Sequence, residues 1–247
     1  MPRRRVRLVT ISCAGVPFRA AAGAIAAAAL VLASVPVRAR ADAATGTIAG
    51  VVRLVARGDT PLRSGAYPSR RVNRPAPRPS EIANVVVYVK DAPAAADLPV
   101  TRAAIAQRDE SFVPRVAAIT RGSVIEFPNF DPFFHDVFSL SRGATFDLGR
   151  FPKGDKRERT FTRAGIVKVY CHIHSEMSAT ILVFDHRLFT MPAADGTFTI
   201  DDVPAGTYAV TAWHERIGGT SRTVTVEPGG RAQVEFSLPV VADDTEP

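Results

Sequence analysis

The sequence predicts an all-β fold, and three observations support that prediction. Short segments of alternating or β-branched apolar residues recur between residues 47 and 238, which is typical of half-buried strands. Turn signals separate these segments, for example Asp195-Gly196 and Pro204-Ala205-Gly206. After residue 41 no stretch has the length and period of an amphipathic helix, and we expect only a short helical turn around Pro93–Leu98.

The predicted strands are short and regularly interrupted, a pattern that favours sandwiches or barrels. In chain order they are Thr47–Val55, Val85–Val89, Ala117–Ile119, Val124–Phe127, Ile166–Tyr170, Thr180–Phe184, Thr197–Ile200, Tyr208–Trp213, Thr223–Val226 and Val234–Leu238.

Residues 1–41 have the pattern of an export signal. Four arginines between residues 3 and 7 precede the apolar run Ala20–Val35, and Ala39-Arg40-Ala41 offers a small-residue cleavage site. The alternative is a transmembrane anchor, but the apolar run is short and rich in alanine. We therefore expect a periplasmic or otherwise extracytoplasmic protein without a membrane span in its mature form.

The leader also accounts for the basic charge of the chain. It holds seven arginines and no acidic residue, so the remaining residues contain 24 basic and 24 acidic side chains. A mature chain with no net charge lacks the main electrostatic signature of nucleic-acid binding, and we expect no nucleic-acid partner.

Cleavage would remove Cys13 and leave Cys171 as the only cysteine. In an oxidising compartment cysteines are usually paired. A single cysteine there is buried and inert, paired with another chain, or a ligand or reactive thiol.

Two segments are predicted to lie outside the folded core. Residues 57–82 mix five prolines with six arginines, and such a segment has little to bury and cannot pair in a sheet. We interpret it as a basic loop, either a solvated linker or a docking patch for an acidic partner. Residues 241–247 form an acidic tail.

The stretch Tyr170–Met177 carries the strongest chemical signal. Cys171, His174 and Met177 are spaced as Cys-x-x-His-x-x-Met, and His135 lies upstream in FFHDVF. One thiolate, two imidazoles and one thioether form the ligand set of a blue-copper site. Each residue alone has a plainer explanation as core or hydrogen-bonded structure, and zinc is an alternative metal, but the joint spacing favours copper.

Residues 101–186 resemble a cupredoxin, the plastocyanin and azurin family. The resemblance rests on AIAQRDESFVPRVAAITRGSVIEFPNFD, FFHDVF and AGIVKVYCHIHSEMSATILV. Exported proteins described as methylamine-utilisation or plastocyanin-like share this layout. The resemblance implies a Greek-key β-sandwich, one type 1 copper ion held by His135, Cys171, His174 and Met177, and electron exit at the ring edge of His174.

The flanking segments resemble a second family, the carboxypeptidase regulatory-like, transthyretin-like sandwich. TGTIAGVVRL and ANVVVYVKD are similar to its opening strands, and residues 194–238 to its closing strands. We therefore predict opening strands in 42–98, an inserted copper domain in 99–187 and closing strands in 188–240. The alternative gives the early strands to the middle domain and leaves a smaller adjacent C-terminal module.

One residue departs from the cupredoxin pattern. Many plastocyanin-like sites have Asn directly after the first histidine, where it ties the ligand loops together, and here Asp136 stands in that place. A carboxylate that points at the metal would lower the reduction potential, and one that points to solvent would not. His172 alternates outward along the strand, and His186 and His214 have no ligand-like context.

The residue inventory also limits the function. Five histidines are too few for the trinuclear cluster of a multicopper oxidase, one remaining cysteine excludes a binuclear thiolate centre, and no nucleophile elbow or phosphate loop is visible. We expect a non-enzymatic electron carrier with an unidentified redox protein as partner. Phe130, Pro132, Phe133 and Phe134 would form an apolar docking collar around His135, or the phenylalanines would pack the core. The alternatives are copper capture and delivery, or a non-redox binding module with Trp213 as its contact.

Overall fold

The computed structural model describes residues 44–56 and 81–240. The predicted signal, the acidic tail and nearly all of the basic loop lie outside the described residues. The described residues form strands and loops with one 3-10 turn, Glu81–Asn84, so the all-β prediction is confirmed. Within the described ranges, no helix is long and apolar enough to cross a membrane.

Residues 44–56 and 81–240 contain seventeen strands. They are β1 Thr45–Ala56, β2 Val85–Val89, β3 Arg102–Ala104, β4 Ala106–Arg108, β5 Ser111–Val113, β6 Val116–Thr120, β7 Val124–Pro128, β8 His135–Ser139, β9 Phe146–Phe151, β10 Lys156–Thr160, β11 Gly165–Tyr170, β12 Ser178–Phe184, β13 Phe189–Thr190, β14 Thr197–Pro204, β15 Gly206–His214, β16 Gly218–Val226 and β17 Arg231–Val240.

Strands from both ends of the described chain share two sheets. One sheet has the order β14-β1-β17 and the other β13-β2-β15-β16. Their inner faces enclose an apolar core that includes Ile48, Val87, Phe198 and Phe236. At the turn before β14, Gly196 adopts a φ of 86°, and a Cβ atom there would press against the carbonyl oxygen of Val52. We call this part the outer sandwich.

The strands between β2 and β13 form a second pair of sheets. Their orders are β10-β7-β3 and β6-β12-β11-β8-β9, and a β4-β5 hairpin closes one end. The enclosed core contains Ile125, Phe127 and Ile181 together with Cys171 and Met177. We call this part the middle sandwich.

A small apolar cluster joins the two sandwiches. Val86 and Trp213 of the outer sandwich pack with Val116 and Leu182 of the middle sandwich. An ion pair between the guanidinium of Arg115 and the carboxylate of Glu215 borders this contact. Trp213 is 8% exposed, so it packs in this contact and is not presented to a partner.

The expected helical turn around Pro93–Leu98 is wrong. The amide of Ala95 donates to the carbonyl oxygen of Asp185, 2.8 Å away, and the carbonyl oxygen of Asp97 accepts from the guanidinium of Arg187 at 3.5 Å. The backbone groups of Ala95 and Asp97 therefore form hydrogen bonds with residues 185 and 187 and not within a helical turn. The 3-10 turn forms instead at residues 81–84, at the end of the predicted basic loop.

Candidate metal centre

The centre lies where β8 begins and β11 ends. Val167 and Val169 of β11 are buried, and the strand alternation carries Cys171 to the same inner face, where it is 5% exposed. His135 is the first residue of β8 and is fully buried. The hydrogen-bonded pair Tyr170 and Phe138 connects β11 to β8, which places the two ligand-bearing strands side by side.

The three predicted nitrogen and sulfur donors converge. Cys171 Sγ lies 3.9 Å from His135 Nδ1 and 4.0 Å from His174 Nδ1, and the two Nδ1 atoms are 3.1 Å apart. His174 is half-buried, so the group extends from the core to the surface. Residues far apart in the chain therefore present one donor atom each to a common space.

Met177 lies at the end of the loop that carries Cys171 and His174. Its amide donates to the carbonyl oxygen of His174 at 3.1 Å, which folds the segment back toward the strand ends. The side chain is 1% exposed and belongs to the same apolar cluster as Cys171. The fourth predicted residue is thus buried in the cluster that holds the thiol.

These residues fit a single thiolate-binding metal ion. Metal bonds of about 2.0–2.1 Å to nitrogen and about 2.3 Å to sulfur require donors separated by roughly 3–4 Å. The three donor separations, from 3.1 to 4.0 Å, lie in that range. The chemistry of the set, with sulfur and neutral imidazole donors, suits copper or zinc and not magnesium or calcium.

A buried carboxylate orients His135. Asp131 is 5% exposed, and its Oδ2 accepts a hydrogen bond from His135 Nε2 at 2.8 Å. Burial acts to raise the pKa of Asp131, but hydrogen bonds from His135 and from the amides of Glu110 and Asp109 outweigh it and leave that pKa lowered. An ionised carboxylate only accepts, so Nε2 carries the imidazole proton and Nδ1 keeps its lone pair for a metal.

The β4-β5 hairpin supports this carboxylate. Its turn residues Asp109 and Glu110 have φ values of 52° and 55°, and their amides donate to Asp131 at 2.7 and 3.0 Å. Asn129 adds another contact, because its Oδ1 accepts from the amide of Asp131 at 2.9 Å. The hairpin therefore holds the carboxylate of Asp131 in place, and that carboxylate orients the ring of His135.

Asp136 ties the two ligand loops together. Its Oδ1 accepts the amide hydrogen of His172 at 3.0 Å and lies 2.9 Å from His172 Nδ1. The carboxylate thus contacts the residue after Cys171 and is 4% exposed, so it does not point freely to solvent. His172 lies outward as the strand alternation predicts, with its side chain 51% exposed.

An aromatic ring, that of Phe133, packs beside the two histidines of the centre. The Phe133 ring centroid lies 5.1 Å from that of His135 and 5.5 Å from that of His174. Phe130, Phe133 and Phe134 are 48%, 38% and 54% exposed. They lie at the surface and are not core residues, so the docking-collar interpretation agrees with their exposure.

The other two histidines lie elsewhere. His186 Nδ1 accepts from the amide of Leu188 at 3.1 Å, and burial lowers the pKa of His186. His214 is fully buried, with Nε2 lying 3.1 Å from a carboxylate oxygen of Glu81. Neither belongs to the donor group around Cys171, as the sequence predicts.

Sequence reasoning missed Asp131. Its position four residues before His135, after Asn129, is the only local signal. Nothing in the sequence distinguishes a buried carboxylate held by two turn amides from the many solvated carboxylates of such a chain.

Comparison with known proteins gives partial matches. The family described as polysaccharide lyase family 4, domain II, matches residues 187–234, which lie in the outer sandwich. The predicted transthyretin-like family is not confirmed by this match and stays a prediction. No curated protein matches the chain.

The solved structures similar to part of the chain include an amicyanin variant, a purple cupredoxin and a nitrite reductase. The Cu(I) form of an amicyanin variant is 17% identical, with a TM-score of 0.33, and the match covers 40% of this chain and 98% of that one. A purple cupredoxin from Nitrosopumilus maritimus is 24% identical, with a TM-score of 0.29, and the match covers 31% and 84%.

A Cu-containing nitrite reductase from Thermus scotoductus SA-01 is 30% identical, with a TM-score of 0.32. That match covers 38% of this chain and only 24% of the reductase. Because these likenesses are partial, we infer function from the residues and their geometry.

Proposed function

We propose that this chain is an exported electron-transfer protein with one type 1 copper centre, held by His135, Cys171, His174 and Met177. The observation that carries the proposal is the convergence of two Nδ1 atoms and Cys171 Sγ within 4.0 Å of one another. A thiolate, two imidazoles and a thioether are the donors that blue-copper sites use. Bound copper would supply one-electron redox chemistry.

The protein's part is to keep the donors in place. Asp131 fixes the ring and tautomer of His135, and Asp136 holds the Cys171 loop against β8. Met177 and Cys171 are locked in the apolar core. Donors that do not move between oxidation states suit electron transfer, because little of the site has to reorganise.

The proposed function is not enzymatic. Four protein donors leave no open position for a substrate, whereas catalytic metal sites keep one. The half-buried His174 and the exposed Phe133, with ring centroids 5.5 Å apart, provide an apolar edge beside the donors. Phe130 and Phe134, which flank Phe133 in the chain, are also exposed. We propose this edge as the approach for a redox protein partner.

The proposal extends to domain organisation. β1 pairs with β14 and β17, and β2 pairs with β13 and β15, and we propose that the residues between β2 and β13 are an insertion in the outer sandwich. This pairing supports a copper domain in 99–187 between strands of 42–98 and 188–240. The pattern of the leader supports an extracytoplasmic location.

Copper loading of the purified protein tests the function. The oxidised protein should have an intense visible absorption, because light transfers an electron from the thiolate to oxidised copper. A mild reductant should bleach this absorption reversibly, because reduced copper cannot accept that electron. Cys171→Ser should abolish that absorption. A colourless copper-loaded protein contradicts the proposal, and rapid loss of copper to a mild chelator would favour copper delivery instead.

A further inference from the structure

A second group of donor side chains lies beside the candidate metal centre. Asp136, Asp147 and His172 each offer one donor atom, and the three atoms lie within 4.8 Å of one another. Asp136 and His172 directly follow His135 and Cys171 in the chain, and strand alternation turns them to the other face of the sheet. The group is therefore separate from the donors of the copper site.

The backbone brings these three residues together. β8 pairs with β9 so that Phe138 lies opposite Asp147, with a register shift between Asp136 and Phe138. The ring of His172 stacks on the ring of Phe138, with centroids 3.7 Å apart and planes 9° from parallel. Asp147 Oδ1 accepts from the amide of Gly149 at 2.8 Å, which orients the carboxylate. All three side chains are held before any ligand binds.

The carboxylates of this group have room for a further cation. The side chain of Asp136 is 4% exposed, and among the described residues His172 is its one ion-pair partner, although strand pairing places Arg150 opposite Asp136. Both hydrogen-bond contacts of Asp136 end at Oδ1, and Oδ2 is not among the buried atoms that lack a partner, so it is open to solvent or to an ion. Within the same ranges Asp147 has no ion pair, and its hydrogen bond with Gly149 also uses only Oδ1.

The hydrogen bond between the amide of His172 and Asp136, which ties the two ligand loops together, does not explain why residue 136 is a carboxylate. The amide of His172 needs only an oxygen acceptor, which the side-chain carbonyl of an asparagine would supply equally well. The charge of Asp136 also pairs with the ring of His172, but neither contact accounts for the convergence of Asp147 on the same point. A divalent cation would use both carboxylates.

We propose that Asp136, Asp147 and His172 form a second metal site, which binds a divalent transition-metal ion such as Zn²⁺. One imidazole nitrogen and two carboxylate oxygens suit Zn²⁺ or Cu²⁺ better than Mg²⁺ or Ca²⁺, which prefer oxygen alone. Asp147 and His172 are exposed, so an ion reaches the site from solvent and water fills its remaining positions.

Zinc titration by calorimetry in a Cys171→Ser background tests this site. That background lacks the thiol, so the result does not depend on the proposed copper centre. Adding Asp147→Asn should weaken one zinc-binding event at least tenfold, because it removes a charged ligand without touching the loop tie. Asp155→Asn, the same change on an exposed turn outside the group, should leave zinc binding unchanged.

Nuclear magnetic resonance of the histidine rings provides a second readout in the same background. Zinc should shift the ring nitrogens of His172, and Asp147→Asn should suppress that shift. The proposal is overturned if the Cys171→Ser protein binds no zinc. It is equally overturned if Asp147→Asn leaves all zinc binding and the His172 ring signals as in the parent.

Discussion

The two sandwiches use their interiors differently. The core of the outer sandwich is built from aliphatic and aromatic side chains such as Ile48, Val87 and Phe236. The core of the middle sandwich includes Cys171 and Met177, and buried His135 and Asp131 lie at its end. Buried polar groups cost stability unless they are paired. Most buried polar residues of the described ranges lie in the middle sandwich, so we infer that chemistry shaped that part more than the outer sandwich, where buried His214 pairs with Glu81.

The largest expected effect is a loss of stability in the outer sandwich that leaves the metal centre unchanged. Phe236 is 1% exposed in the outer core, and Phe236→Ala should lower the free energy of unfolding by about 3–5 kcal/mol because it leaves a cavity. Chemical denaturation followed by circular dichroism measures this change. Under native conditions the copper-loaded variant should keep its visible absorption, and loss of that absorption in folded protein would contradict the division between the sandwiches.

The next change tests the contact between the sandwiches. Leu182 is 4% exposed and packs with Val86, Val116 and Trp213. Leu182→Ala should lower the free energy of unfolding by about 2–5 kcal/mol. It should also shift the emission of Trp213 to longer wavelength, because water gains access to the ring. Trp213 is the only tryptophan, so an unchanged spectrum would mean that this contact does not form.

A smaller effect is expected from the carboxylate that orients His135. Asp131→Asn removes a negative charge beside the centre and places an amide group where two backbone amides now donate. Copper affinity should fall about 10–100-fold, and the reduction potential should rise because the oxidised centre loses a favourable charge. Competition with a chelator and voltammetry measure these two quantities.

The control for that change is Asp155→Asn, which alters the same charge on an exposed turn. It should leave both quantities close to those of the parent. Equal effects of the two substitutions would show that Asp131 acts only through net charge and not through its contact with His135.

The smallest effect concerns acid stability of the outer sandwich. Burial acts to raise the pKa of Glu81, but hydrogen bonds from Asn84 and His214 and the charge of Arg216 leave it lowered from 4.5. A carboxyl pKa that is lower in the folded state adds stability above the unfolded pKa, and this stability is lost as the pH falls through the folded pKa. Glu81→Gln should therefore weaken the acid dependence of unfolding below about pH 4.5, with a change under about 1 kcal/mol because Glu81 is part-exposed.

Denaturation at a series of pH values checks this prediction. Parent and Glu81→Gln curves should differ most near neutral pH and converge in acid. Curves that stay parallel over the whole range would show that Glu81 does not titrate differently in the two states.

β9 is missed by the sequence analysis although Phe146 and Phe151 are buried, but several other strands that have an apolar face are predictable from the sequence. β2, β12 and β15 are among them, because alternation or β-branched runs mark strands with a buried face. β10, with the sequence KRERT, is not predictable in this way. It lies at a sheet edge, and its five residues are all exposed and charged or polar. The three-residue strands β3, β4 and β5 are too short to show any period.

The residues of the candidate site also divide into those that a local sequence pattern indicates and those that it does not. Cys171, His174 and Met177 lie in one short segment, so their spacing and residue types are enough to indicate their role. Asp131 and the direction of Asp136 depend on a hairpin turn and on strand pairing, which no local pattern encodes. Residues that act through tertiary hydrogen bonds are therefore beyond the reach of sequence patterns.

X-ray absorption at the copper edge of the loaded protein tests the central claim most directly. We predict one short copper–sulfur distance and two histidine nitrogens, and we expect Cys171→Ser to remove the short sulfur contribution while the nitrogens remain. A first coordination shell without sulfur in the parent protein would contradict the convergence of His135, Cys171 and His174 on one ion.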